Sequence, residues 1–259
     1  MTKIGGVDAY VAKPKPGRNN NGCGVLLLHD AFGYNLPNTQ LVADAMAEVG
    51  DFLVVVPDLF DGKPLHPSLL ERMLPLMGYG QSKPTSWFQS LQQSLYKAVL
   101  LAQLSYYFVP FLITQGRCSG KMPLIDAVLT DMNAQHGIKK VAAIGFCYGG
   151  SGCLALGKLP DKIEAFAVAH GEVHVPADIE PLKKPGLFLS ADDDWSFPKS
   201  AFEEAKAILG KRPDASNYEM KYYPGTFHGF AIRGDDKDEV VKEAKDDAIQ
   251  TAISFFRKH

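Results

Sequence analysis

Apolar residues fall in short unbroken blocks along the chain, and between the blocks they recur every three or four positions. Gly24-Val-Leu-Leu-Leu-His29 is one such block and reads as a parallel strand buried on both faces. Beyond it Leu41, Val42, Ala45, Met46 and Val49 repeat at helical spacing, from Pro37 in the first turn to Gly50 at the stop. Phe52–Val56 is the next strand, β-branched and closed by Pro57-Asp58. Further on, the pattern predicts a helix over Pro123–Gln135, a strand over Val141–Ile144 and a helix over Gly149–Lys158. Strands follow at Ala165–Ala169 and Gly186–Ala191, then a helix at Pro198–Leu209 and a strand at Asn217–Tyr223. The closing helix, Asp238–Lys258, aligns Val240, Val241, Ala244, Ala248, Ile249, Ala252 and Phe256 on one face. Strand and helix alternate almost throughout. That predicts one α/β domain with a mostly parallel, doubly wound sheet, helices on both faces, and ligand chemistry at the carboxyl ends of the strands.

The alternation lapses over about 61–120, where Pro64, Pro67, Pro75, Pro84 and Pro110 break the pattern and no strand is evident. Insertions of this length in a compact domain commonly serve as lids or binding loops. Within it, Ala98–Thr114 carries no charge over seventeen residues. It is close to the lower length of a membrane span, but Gln103, Ser105 and Pro110 interrupt it, and Pro110 is expected to end or kink a helix. The segment therefore reads as a buried helix or as an apolar wall over a pocket, to which Tyr106, Tyr107 and Phe108 would contribute, and no membrane partner is expected.

Composition narrows the function. The 259 residues are 46% hydrophobic and 22% charged, enough to bury a full core, with a net charge of −2. Lysine and arginine are scattered rather than banked, which argues against nucleic acid and suits a small neutral or anionic substrate. The first residues lack the apolar core of a secretory signal, so a cytoplasmic protein is expected. Cys23, Cys118, Cys147 and Cys153 show no metal-type pairing with histidine, and a chain of this size has no need of disulfides, so neither metal nor cofactor is expected.

One of those cysteines has a particular setting. Gly145-Phe-Cys147-Tyr-Gly149-Gly150 directly follows the strand at Val141–Ile144, where many α/β hydrolases carry a serine. Glycines on either side permit a sharp turn that lifts Cys147 above its strand, and the helix beyond directs its positive end at the sulfur. A thiol nucleophile needs a base, and the base needs an orienting acid, both at later strand ends in that topology. Asp192-Asp193-Asp194 closes one such strand, and His228 follows the last strand on a glycine-flanked loop. His29 and His170 also close strands that point into the same mouth, but as structural histidines held by backbone partners they fit the order less well.

Together these segments resemble the dienelactone hydrolase family, closest to fungal-type members. The resemblance rests on the motif at Cys147, on Ser-Ala-Asp-Asp-Asp194-Trp-Ser-Phe-Pro198 and on Phe-His228-Gly-Phe-Ala-Ile-Arg233, and it covers the chain from about Gly22 onward. It implies an α/β-hydrolase fold and hydrolysis of small lactones or activated esters. It also selects Asp194, four residues before a proline, as the acid of a Cys147–His228–Asp194 triad, leaving Asp192 and Asp193 as solvated charges. Further implied roles are an oxyanion hole of the Tyr148 and Ala31 N–H groups, a substrate-carboxylate contact at Arg233, and modulation of the resting thiol by Asp30 in Asp30-Ala31-Phe32-Gly33. Family members have glutamate at the position of Asp30, whose shorter side chain suits an alternative role in fixing the loop. Two other functions fit the same sequence: a redox protein cycling Cys147 with Cys118 or Cys153, and a silent binding scaffold.

Overall fold

The computed structural model describes residues 2–16, 18, 22–73 and 85–259. Two short strands, β1 (Thr2–Ile4) and β2 (Val7–Ala12), are followed by β3 (Cys23–Leu28), α1 (Pro37–Gly50) and β4 (Leu53–Pro57). The insertion contributes α2 (Ser68–Met73) and α3 (Trp87–Gln115), after which come α4 (Met122–His136), β5 (Lys140–Phe146) and α5 (Gly150–Gly157). The remainder is β6 (Ala165–Ala169), β7 (Gly186–Asp193), α6 (Lys199–Gly210), β8 (Tyr218–Phe227), α7 (Phe230–Arg233) and α8 (Glu239–Lys258). Among the described residues the strands form one eight-stranded sheet in the order β1-β2-β4-β3-β5-β6-β7-β8. From β4 to β8 every pairing is parallel. The expected α/β-hydrolase architecture is therefore present.

Both faces of the sheet are buried, and the pleat divides the side chains between them. In β3, Leu26 and Leu28 join one core with Val128 and Met132 of α4, while Val25 and Leu27 join the other with Met46 of α1 and Ala252 of α8. That is why β3 reads as an unbroken apolar run instead of an alternating one. Of the residues expected on the inner face of α8, only Val240 is exposed.

Three larger features depart from the expectation. The hairpin β1–β2 pairs antiparallel with itself and with β4, turning at Gly5 and Gly6, both with positive φ. These strands are short, and the exposed Thr2 and Lys3 give β1 little apolar signal. Second, the insertion is more regular than its prolines suggest. α3 runs 29 residues straight through Pro110, begun by the Ser86 side chain accepting from the Gln89 N–H and ended at Gly116 with φ 64°. Third, α3 is not a buried helix: of its residues only Leu100, Leu104 and Phe111 are buried. Tyr106 and Tyr107 are exposed, so they do not wall an enclosed pocket, while Phe108 packs partly against the core. Pro75 and Pro84 lie outside the described residues.

The site depends on how closely β5 and the turn after it press on β3. A Cβ on Gly149 would stand 2.1 Å from the Leu28 carbonyl oxygen, and one on Gly145 would stand 2.4 Å from the Gly149 carbonyl oxygen. Both contacts are with backbone, which cannot swing aside. Gly149→Ala is expected to destabilise the fold by about 3 kcal/mol or prevent it forming. Gly120→Ala, where nothing lies within 4 Å, is expected to change stability by less than about 0.5 kcal/mol. Urea unfolding of the two variants against wild type measures both.

Candidate active site

Cys147 leaves the end of β5 with φ 49°, in the left-handed region that a residue with a side chain enters at a cost of about 1–3 kcal/mol. A single short 3-10 turn, Cys147–Gly149, leads into α5, so the positive end of that helix lies directly behind the sulfur. Tyr148 is held from the other side. Its ring meets Phe60 edge-on at 5.0 Å, and its hydroxyl donates to the Gln115 carbonyl at the end of α3 at 3.3 Å.

The structure brings Cys147, His228 and Asp194 into one line. His228 Nε2 lies 3.1 Å from Cys147 Sγ, and its Nδ1 lies 2.9 Å from Asp194 Oδ1. Three strand ends supply them: β5, β7 and β8. Histidine and aspartate are both buried, at 4% exposure each. Burial alone would hold His228 neutral, but the charges of Cys147 and Asp194 and their hydrogen bonds push it up to about 10. For Asp194 burial opposes ionisation, yet His228 and the Ser196 hydrogen bonds hold it below its ordinary value. The imidazolium and its acid are thus each stabilised by the other.

Three neighbours of this line were given no part in it by the sequence, although His170 was placed at the same mouth. Ser196 donates to Asp194 Oδ1 from its backbone N–H at 2.8 Å and its hydroxyl at 2.6 Å, and its Oγ sits 3.2 Å from His228 Nδ1. The spacing Asp-x-Ser is the one trace of it, since an aspartate commonly accepts from the N–H two residues on. Trp195 stacks on the His228 ring at 5.2 Å and 29° while remaining 75% exposed. On the other side His170 meets the same ring at 5.2 Å and 74°. His170 is buried with φ 41° and neither ring nitrogen has a hydrogen-bond partner among the described residues, so it is not the backbone-satisfied histidine its position suggested. Burial, His228 and Arg233 drive it well below its ordinary value, which keeps it uncharged beside the imidazolium.

Asp30, Ala31 and Phe32 follow β3 on the near side. Asp30 is fully buried; one carboxylate oxygen accepts from the Phe32 N–H at 2.8 Å and the other pairs with Arg233. Both oxygens are therefore engaged by groups other than the thiol. Arg233, on α7 directly after the His228 loop, also lies over the Phe32 ring at 4.7 Å, and its Nε is buried without a hydrogen-bond partner among the described residues. Ala31 is fixed through its carbonyl, which accepts from Leu65 N–H at 2.9 Å. His29 is structural: Nδ1 lies 2.7 Å from the Asp30 carbonyl oxygen and Nε2 accepts from Leu59 N–H at 3.3 Å.

Of the other acidic and thiol groups, Asp192 is not simply solvated, because it binds the Tyr222 hydroxyl and the Gly225 N–H and so braces the turn before His228. Cys118 and Cys153 are free and buried, and burial pushes both thiols up, Cys118 to about 12.

Comparison with known proteins places this geometry in context. The model of the family described as "Dienelactone hydrolase family" matches residues 7–259. The chain is 25% identical over 259 residues to "Hydrolase pyvD" of Aspergillus violaceofuscus, covering 100% of this chain and 89% of that one. It is 26% identical over 257 residues to the "Carboxymethylenebutenolidase homolog" of Mus musculus, covering 98% and 88%. A crystal structure of a putative dienelactone hydrolase from Klebsiella pneumoniae superposes with a TM-score of 0.64 at 19% identity, covering 97% of this chain and 92% of that one, and shares the fold.

The raised His228 value has a measurable sign. The folded protein holds this proton more tightly than the unfolded chain, so the stabilisation is complete below about 6.5 and is lost as pH rises through about 10. In wild type the His228 ring signal is expected to titrate near 10, and in Cys147→Ser, which removes the largest raising influence, to fall well toward the ordinary value. NMR titration of the imidazole C–H resonance checks it.

Proposed function

The chain belongs to the dienelactone hydrolase family and is a hydrolase, and from that premise we propose that it cleaves small lactones or activated esters through an acyl-enzyme on Cys147. The observation that carries the reading is the unbroken contact chain from Sγ through the buried imidazole to a carboxylate. In the first step the sulfur attacks the acyl carbon and the carbonyl oxygen takes the negative charge. Backbone N–H groups of Tyr148 and Ala31 donate to that oxygen, and their pre-set orientation is worth more than water's because it needs no rearrangement. As the tetrahedral species collapses, the proton on His228 Nε2 passes to the leaving oxygen and a thioester remains. Neutral His228 then takes a proton from water, hydroxide attacks the thioester, and the carboxylate product leaves as the sulfur is expelled. Asp194 stays ionised throughout and holds the ring with Nδ1–H toward itself.

A thiol suits acyl groups with good leaving oxygens, since its own tendency to leave returns poorly activated substrates to the start. Arg233 adds a preference for anionic substrates. Its unpartnered buried Nε is an open donor, and a substrate carboxylate would compete with Asp30 for the same guanidinium. Asp30 is thereby proposed to influence the thiol indirectly, by keeping the arginine occupied before substrate arrives. A redox cycle has less support, because the candidate partner thiols Cys118 and Cys153 are buried and held protonated.

Cys147→Ala is expected to lower kcat for 4-nitrophenyl acetate and for a dienelactone about a thousandfold or more. Steady-state kinetics together with mass spectrometry for an acetyl adduct on Cys147 provide the test, and equal rates for variant and wild type would sink the nucleophile. With Arg233→Gln, kcat/KM for a carboxylate-bearing lactone is expected to fall about tenfold further than for 4-nitrophenyl acetate, which has no carboxylate. Equal losses on both substrates would remove Arg233 from substrate recognition.

A further inference from the structure

α3 is long and apolar enough to cross a membrane, yet it lies mid-chain and only 17% of its apolar window is buried. It is neither a core helix nor a leader segment. The buried residues Leu100, Leu104 and Phe111 follow a single narrow stripe along the domain. At 3.6 residues per turn, the exposed Val99, Leu101, Tyr106, Tyr107, Val109 and Ile113 spread over about two-thirds of the circumference. Ile113 and Tyr106 are 77% and 76% exposed. A partner helix or a second copy of the chain would cover a stripe of about 100°, leaving most of that arc in water. A fluid apolar medium covers all of it.

Polar chemistry along the helix agrees with such a medium. The hydroxyl of Ser105 donates to the Ala102 carbonyl at 2.7 Å, and that of Thr114 donates to Pro110 at 2.9 Å, so both are satisfied within the helix. Charge is distributed to match a negative surface. From Arg72 to Ile125 the chain has five basic residues, Arg72, Lys83, Lys97, Arg117 and Lys121, and none of its 29 acidic ones. Lys97 and Arg117 bracket the uncharged stretch at either end, Arg117 in an exposed pair with Glu172. Tyr96, Tyr106, Tyr107 and Trp87 are amphipathic rings of the kind enriched at headgroup level.

We infer that α3 docks the protein on an anionic phospholipid surface, lying in its plane with its outward arc among the acyl chains. It does not span, because Leu100, Leu104 and Phe111 fasten it lengthwise to the domain and the uncharged stretch reaches only about 26 Å. This goes beyond the proposed hydrolysis, and neither depends on the other.

Vesicle flotation of the full chain tests it, with vesicles of phosphatidylcholine alone and of phosphatidylcholine with phosphatidylserine. Wild type is expected to float with the anionic vesicles and less with the neutral ones. Val99→Glu/Ile113→Glu, at two exposed positions, is expected to reduce its partition about tenfold or more. Unchanged circular dichroism and unchanged turnover of 4-nitrophenyl acetate without vesicles show that the variant is folded. Wild type left in the aqueous fraction overturns the inference. If it then sizes as a dimer that the variant converts to monomer, a second copy is the occupant. Flotation of the variant equal to that of wild type overturns it as well. Flotation requires no turnover, so loss of the proposed hydrolysis would leave this result standing.

Discussion

The α-carbon of Gly149 lies so near the carbonyl of Leu28 that no side chain fits between them, and the geometry of the site follows from that contact. β3 and β5 are neighbours in register, Leu28 opposite Gly145, so their ends emerge side by side. Pressing the turn after β5 onto the end of β3 does two things together. It raises Cys147 into a strained left-handed conformation, and it sets the turn that carries Tyr148 against the end of the strand that leads to Asp30 and Ala31. A larger residue at either glycine would part the strands' ends and separate the thiol from the groups that could hold an oxyanion. Strain at Cys147 persists because packing on both sides leaves the backbone nowhere else to go.

Behind this elbow the electrostatics divide into two buried pairs. His228 has the thiol on one nitrogen and Asp194 on the other, and Arg233 has Asp30. Isolated in a medium of low dielectric each charge would be costly, and each is kept by an opposite one within contact distance. His170 sits between the two systems, influenced by both cations and charged by neither. Its neutrality matters, since a third positive charge there would oppose the imidazolium on His228. With Trp195 stacked on the His228 ring and His170 meeting it at 74°, that ring has two aromatic neighbours that limit its tilt.

Most of this was legible in the sequence because it depends on local patterns. The parallel core announced itself in runs such as Gly24–Leu28, which only a strand buried on both faces requires, and α1 in the spacing from Pro37 to Gly50. Cys147 and His228 stood out because each follows a strand in a glycine-marked turn, while Asp194 was separated from Asp192 and Asp193 only by the resemblance to the family. What escaped was tertiary. Ser196 and Trp195 acquire their places from tertiary contacts, with the spacing Asp-x-Ser as the one local trace, and His170, placed at the mouth by its strand, gives no local sign of its contact with the His228 ring. β1 escaped for a different reason: three residues, two of them exposed, are too short to show a period.

α3 was misread because composition reports how apolar a helix is and not which side of it the protein covers. An uncharged run of seventeen residues suggests burial when burial by the same chain is assumed. The structure leaves two-thirds of its circumference outside, and that geometry bears on the site through Tyr148. The final turn of α3 holds the Tyr148 hydroxyl through Gln115, and Phe111 from the same helix packs on Phe60, which in turn meets Tyr148. Tyr148 is the residue whose N–H would face the oxyanion. Whatever covers the outer arc of α3 therefore presses on an element one residue from Cys147, the proposed nucleophile, and a surface that steadied the helix would steady that N–H with it.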